Sequence, residues 1–173
     1  MAKGLLIVFT GDGKGKTTAA LGMAIRAAGH GLKILILQFI KGGRFYGELK
    51  AMEKLEAVTI KTLGSGFTWE KEDLTEDRRL AEEGWKLVEE ELSKGDYDML
   101  ILDELNVVLH YGLLPLEPVL AALEKRLPQT HVVITGRDAP SQLLEIADLV
   151  TEMRNLKHPY HEKGVRAQRG IEF

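Results

Sequence analysis

The chain has 173 residues, 23 Lys and Arg against 26 Asp and Glu, and a formal net charge of −3. This length predicts one domain spanning 1–173 with a full core, and the mildly acidic balance excludes a global nucleic-acid footprint. There is no Cys, so disulfides and thiolate metal sites are excluded; no stretch has the length of a membrane span or the layout of a signal peptide, and the expected location is cytoplasmic, away from membranes.

The first element is the apolar run Leu5-Leu6-Ile7-Val8-Phe9-Thr10, which reads as a strand. It leads into Gly11-Asp12-Gly13-Lys14-Gly15-Lys16-Thr17-Thr18. Strand, glycine-rich loop ending Gly-Lys-Thr, and helix form the layout of a phosphate-binding P-loop. Glycines let backbone N–H groups approach phosphate oxygens, and the helix that follows points its positive end at the anion. Lys16 supplies a point charge for the terminal phosphates, and the Thr17 hydroxyl suits a Mg²⁺ ligand. The strict pattern GxxxxGK[ST] wants glycine at position 10; this chain has Thr10, with Gly11 one residue late.

Leu21, Ala24, Ile25 and Ala28 repeat at helical spacing and predict the apolar face of the helix after the loop, which Gly29 and Gly31 end. Ile34-Leu35-Ile36-Leu37 is apolar on both faces, as in a parallel sheet covered on both sides. Lys41-Gly42-Gly43-Arg44 reads as a basic loop at its end, 47–55 as a short helix and 58–62 as a strand. Gly64 to Trp69 is a glycine-punctuated loop with two aromatic residues. A long amphipathic helix is predicted over 75–93, with Leu80, Leu87, Val88 and Leu92 on one face and its Glu residues in solvent. Met99-Leu100-Ile101-Leu102 is a second two-faced strand, ending in Asp103-Glu104. Pro115 and Pro118 start a helix running to about Arg126. The rest reads as a strand over 131–135, Gly136-Arg137, a helix over 140–147, a last strand over 149–153 and a basic tail.

Strands alternate with helices throughout, which predicts an α/β domain with a mainly parallel sheet and helices on both faces. Ligands bind such sheets at the carboxyl ends of the strands, where the P-loop, Lys41, Asp103-Glu104 and Arg137 all fall. Acids at a buried strand end are costly unless paired or bound to a cation, so Asp103 and Glu104 read as ligands of a Mg²⁺ shared with Thr17 and phosphate oxygens. An N-cap is the other reading of Asp103. Phe67 and Trp69 stand between core packing and a platform for a flat ligand. Arg137 stands between anion clamp and surface residue, and Lys41 between ligand contact and solvated loop. His158 and His161 lack a third metal ligand and read as surface. These residues alone reach a Mg-nucleotide-binding P-loop protein, leaving transferase, ATPase or kinase, and nucleotide-responsive binding module open.

A wider set of segments narrows this choice. Thr10-Gly-Asp-Gly-Lys-Gly-Lys-Thr-Thr-Ala-Ala20, Gln38-Phe-Ile-Lys-Gly42, Gly66-Phe-Thr-Trp-Glu70, Leu102-Asp-Glu-Leu105, Thr135-Gly-Arg137, Ala147-Asp-Leu-Val-Thr-Glu-Met-Arg154, Lys157-His158-Pro159, Gly164-Val-Arg-Ala-Gln168 and Gly170-Ile-Glu172 occur in order along the chain. Together they resemble the P-loop type of ATP:corrinoid adenosyltransferase, also called cob(I)alamin adenosyltransferase, in which Thr10 is the usual first residue of the loop. The resemblance implies a RecA-like fold and transfer of the 5′-deoxyadenosyl group from ATP to a reduced corrinoid, cob(I)yrinic acid a,c-diamide or cob(I)alamin, with triphosphate leaving.

It further implies that the loop Gly11 to Thr18 holds the triphosphate, with Lys16 neutralising charge, and that Thr17 and Glu104 hold Mg²⁺ with Asp103 close by. Phe67 and Trp69 match an aromatic pair beside the corrin that favours four-coordinate cobalt. Loss of an axial donor makes Co(II) easier to reduce. Lys41 and Arg137 match basic positions of the family. A reduced flavoprotein or free reduced flavin is the implied electron donor, and a homodimer the implied assembly. Longer members carry an N-terminal extension over the site; with Met1 almost at the first strand, that cover is expected to be missing here.

Overall fold

In the computed structural model, residues 3–42, 46–64, 66 and 73–172 are described below. The order of elements is β1 (Leu6–Thr10), α1 (Lys16–Gly29), β2 (Ile34–Gln38), α2 (Gly47–Met52), β3 (Val58–Thr62), α3 (Thr75–Lys94), β4 (Met99–Asp103), α4 (Leu105–His110), α5 (Leu116–Glu124), β5 (His131–Thr135), α6 (Ser141–Ile146), β6 (Leu149–Glu152) and α7 (Pro159–Lys163). The six strands form one sheet in the order β3-β2-β4-β5-β1-β6. Every pairing is parallel, so all the strands end at the same edge. This is the RecA-like α/β architecture.

The interior strands are apolar at successive positions because both sheet faces are covered. On one face Leu35, Leu37, Leu100, Leu102, Val132 and Ile134 pack with α3, α4 and α5. On the other Ile34, Ile36, Met99, Ile101 and Val133 pack against α1. A Leu or Ile fully buried in this way contributes about 1.5–3 kcal/mol relative to exposure. The edge strand β6 is different, with all four residues exposed.

Two helices depart from the sequence pattern. α1 buries Lys16, Ala20, Leu21, Ala24 and Ala27, whereas Ile25 is 53% exposed. The expected face is therefore rotated: Lys16 is turned into the P-loop, and alanines let the helix lie close against β4 and β5. In α3 the buried stripe runs through Ala81, Gly84, Trp85, Val88 and Leu92, with Leu80 and Leu87 only half-buried. Gly84 lets Leu63 pack close there: a Cβ would come within 2.6 Å of Leu63 Cδ1, and the Leu63 side chain would have to shift. Two short helices, α4 directly after the acids and α7 in the basic tail, are additional to the elements the sequence pattern predicts.

β5 lies between the P-loop strand β1 and the acid-bearing strand β4. The loop after β1 and the acids after β4 therefore face one another across the end of β5. Among the described residues, no helix is long and apolar enough to cross a membrane.

Candidate functional site

The P-loop is shaped by its glycines. Gly11 (φ 93°) and Gly15 (φ 108°) take left-handed backbone conformations that disfavour a side chain. Gly13 is needed for closeness: its Cβ would lie 2.7 Å from the Met153 carbonyl oxygen. The Gly13 N–H donates to that carbonyl at 2.6 Å, and the Met153 N–H donates to Thr10 O at 2.8 Å. The segment after β6 thus braces the loop from behind. Thr10 has its own task, because its Oγ1 accepts the Ala139 N–H at 3.3 Å. Glycine at that position would lose this tie.

Gly15 caps α1 without any side-chain hydrogen bond. The first-turn N–H groups of a helix have no carbonyl one turn earlier, so this N-terminus leaves donors that could meet an anion. Lys16 is buried, and its Nζ donates to Gly11 O at 2.6 Å and Gly13 O at 2.7 Å. Burial pushes the Lys16 ammonium below its ordinary pKa; Glu104 pulls it back up and Arg137 opposes. Asp12, Lys14 and Thr18 are exposed along the loop, and Lys14 Nζ lies 3.4 Å from Glu172 Oε1 of the tail.

Asp103, the last residue of β4, is only 1% exposed. Its Oδ1 accepts from the Thr17 hydroxyl at 2.8 Å and from the Thr135 hydroxyl at 2.8 Å. Its Oδ2 accepts from Gln38 Nε2 at 3.2 Å and lies 3.5 Å from Lys41 Nζ. A carboxylate offers about four acceptor positions, and all are engaged. Thr17, Lys41 and Asp103 of the expected site are therefore brought together directly.

Lys41 is more committed than a solvated loop residue would be. Its Nζ also meets Glu48 Oε1 at 3.0 Å and sits 4.8 Å from the Tyr46 ring centroid. Burial alone would lower its pKa, but Asp103 and Glu48 outweigh that and hold it above its ordinary value.

Glu104 follows with φ 64° and ψ 20°, an uncommon conformation for a residue with a side chain. Burial, then the neighbouring Asp103, pushes its carboxyl up to about 7 against the pull of Lys16, Lys41 and Arg137. Arg137 is exposed at the end of β5, and its charge reaches both Lys16 and Glu104. Phe67 and Trp69 lie outside the described residues.

Sequence reasoning assigned no role to Thr135, Gln38, Asn106 or the Met153 backbone. Asn106 is fully buried, and its Nδ2 donates to Gly136 O at 2.9 Å. The available signal was a polar residue closing an apolar strand: Gln38 closes β2 and Thr135 closes β5 as Asp103 closes β4.

The oxygen donors at this edge, a hydroxyl and two adjacent carboxylates, suit a hard divalent cation. Among the described residues there is no cluster of three or more His, Cys, Asp or Glu that would hold a metal alone, so a cation here would take part of its shell from a ligand.

The chain is similar to known proteins over nearly its whole length. A family model described as ATP:corrinoid adenosyltransferase BtuR/CobO/CobP matches residues 2–173. The chain is 44% identical to the corrinoid adenosyltransferase of Pseudomonas aeruginosa over 172 residues, covering 99% of this chain and 84% of that protein. Over 171 residues it is 44% identical to the corrinoid adenosyltransferase of Escherichia coli, covering 99% of this chain and 86% of that one. Among solved structures, the flagellar accessory protein FlaH of Methanocaldococcus jannaschii matches with a TM-score of 0.60 and 14% identity, covering 88% of this chain and 72% of that chain. At that identity the likeness speaks to the fold.

The raised Glu104 carboxyl has a consequence for stability. The folded protein binds this proton more tightly than the unfolded chain, so the stabilising contribution is present below the unfolded value of 4.5 and is lost as pH rises through about 7. Glu104→Gln, without bound nucleotide, should gain up to about 3 kcal/mol on the wild type near pH 8 and far less near pH 5. Urea unfolding at the two pH values measures this. An equal offset at both would contradict a buried, raised Glu104.

Proposed function

The chain belongs to the ATP:corrinoid adenosyltransferase family, transferring the adenosyl group of ATP to a corrinoid, and we propose that the loop between β1 and α1, with the acids after β4, grips the triphosphate that leaves. The Co(I) electron pair of the corrinoid forms the bond to the ribose 5′ carbon, and the carbon–oxygen bond electrons depart with triphosphate. This nucleophile carries no proton, so no general base is needed. The protein's work is to orient two substrates and stabilise a highly charged leaving group.

The observation that carries this reading is the 2.8 Å bond from the Thr17 hydroxyl to the buried Asp103 carboxylate. A hydroxyl that gives its proton to Asp103 keeps oxygen lone pairs for a cation. Thr17 and Glu104 would hold Mg²⁺, while Asp103, with its acceptor positions engaged, would act through Thr17. Bound Mg²⁺ would neutralise charge on the triphosphate oxygens. The Lys16 ammonium, held by two loop carbonyls, exchanges them for phosphate oxygens. First-turn amides of α1 complete the cradle, whereas the Gly13 N–H is occupied by Met153 and serves the shape of the loop. Arg137 adds positive charge at the rim. Lys41 steadies Asp103.

For the corrinoid side, Phe67 and Trp69 are assigned to the face of the macrocycle by the family resemblance, where they displace an axial ligand and ease reduction of Co(II). Reduced flavin or a reduced flavoprotein supplies the electron. The assembly is a homodimer and the setting cytoplasmic in this reading.

Two outcomes test it. Anaerobic incubation with Mg-ATP and chemically reduced cob(I)alamin should yield photolabile adenosylcobalamin with one triphosphate per product, and Lys16→Ala should lower the rate at least ~100-fold; steady ADP and phosphate release without corrinoid would instead mark a hydrolase. Phe67→Ala and Trp69→Ala should impair reaction from Co(II) with a reduced flavin more than ~10-fold beyond any loss from preformed Co(I), since their task is ligand displacement. Equal losses from both starting states would remove that role.

A further inference from the structure

Two adjacent acids at a strand end must be held in one arrangement before a cation can use them, and one residue that bonds both sits at the end of β5. Thr135 is fully buried at the end of that strand. Its β-branched side chain has few rotamers available, which fixes its hydroxyl. That hydroxyl donates to Asp103 Oδ1 at 2.8 Å and accepts the Glu104 N–H at 3.0 Å. One side chain therefore bonds a carboxylate and the backbone of the next residue.

Glu104 needs this support. Its φ of 64° is a conformation that persists when surrounding structure over-determines it. The neighbour of Thr135 completes the hold. Gly136, at φ 130°, leaves the space that the Glu104 carboxylate uses: a Cβ on Gly136 would lie 3.2 Å from Glu104 Oε2 and 2.9 Å from Asn106 Cβ. Thr135 thus fixes the Glu104 amide while Gly136 makes room for its side chain.

We infer that Thr135 is a positioning residue of the transfer reaction, whose hydroxyl sets Asp103 and Glu104 so that Thr17 and Glu104 can share a divalent cation with the triphosphate. This rests on the metal reading given under Proposed function. A hydroxyl serving only to fill a strand end would leave cation dependence untouched.

The test compares ATP affinity by calorimetry in Mg²⁺ and in EDTA for the wild type, Thr135→Val and Thr135→Ser. Val keeps the shape and loses the hydroxyl; Ser keeps the hydroxyl. Thr130→Val is the control, since Thr130 is a buried threonine before the other end of β5 whose Oγ1 has no hydrogen-bond partner. The Mg²⁺ enhancement of ATP affinity should fall about 10-fold or more in Thr135→Val, the range seen for outer-shell partners of metal ligands. Affinity in EDTA should stay within about twofold, and Thr135→Ser and Thr130→Val should match the wild type. Should Thr135→Val fail to fold, Thr135→Ala read against Thr135→Ser makes the same comparison. A folded hydroxyl-free variant with the wild-type enhancement would overturn this inference alone. A wild type whose ATP affinity ignores Mg²⁺ would overturn the metal reading and this inference with it.

Discussion

The buried Asp103 carboxylate is the constraint around which the carboxyl edge of the sheet is organised. A charged group at 1% exposure is tolerated only when its acceptor positions are filled. Four donors fill them, and they come from separate places in the chain: Thr17 from α1, Gln38 from β2, Lys41 from the loop after β2, and Thr135 from β5. Each donor pins its own element to the end of β4. β1, β2 and β4 are apolar up to a polar last residue, so their carboxyl edge gathers buried polar groups and specifies the relation of loop to acids.

That arrangement suits a reaction in which the protein handles charge and the substrate supplies the nucleophile. The loop has an uncapped helix end, a buried ammonium and a hydroxyl already oriented by Asp103. Glu104 is lifted to about 7 chiefly by burial, so a positive charge placed beside it would relieve an existing cost. The same logic explains why Lys41 is held above its ordinary value despite burial: acids on two sides stabilise the ammonium. In the proposed function, a metal-nucleotide complex bound at this edge would exchange one set of charge contacts for another.

Much of the fold was legible because a parallel sheet covered on both faces writes itself as short two-faced apolar runs. Ile34 to Leu37 and Met99 to Leu102 could hardly be read otherwise. Helix faces were less legible. Periodicity ranks Ile25 above Ala20 and Ala27 as core, yet α1 turns Lys16 into the loop and approaches the sheet through alanines, leaving Ile25 exposed. In α3 the glycine at position 84 counts as core only once Leu63 is known to lie against it. The P-loop and the acid pair were legible because each is contiguous in sequence. Thr135, Gln38 and the Met153 carbonyl were not, since only the strand order β2-β4-β5-β1-β6 brings them to the loop and the acids.

The most direct test of the account is the transfer rate of Asp103→Asn at saturating Mg-ATP and cob(I)alamin, with circular dichroism to show that the variant is folded. The amide keeps the shape of the side chain but loses its charge and puts an NH₂ donor in place of one oxygen, so it cannot accept from both Thr17 and Thr135 on one side and Gln38 and Lys41 on the other. The account predicts a fall of at least ~100-fold. A folded variant that transfers the adenosyl group at the wild-type rate would contradict it.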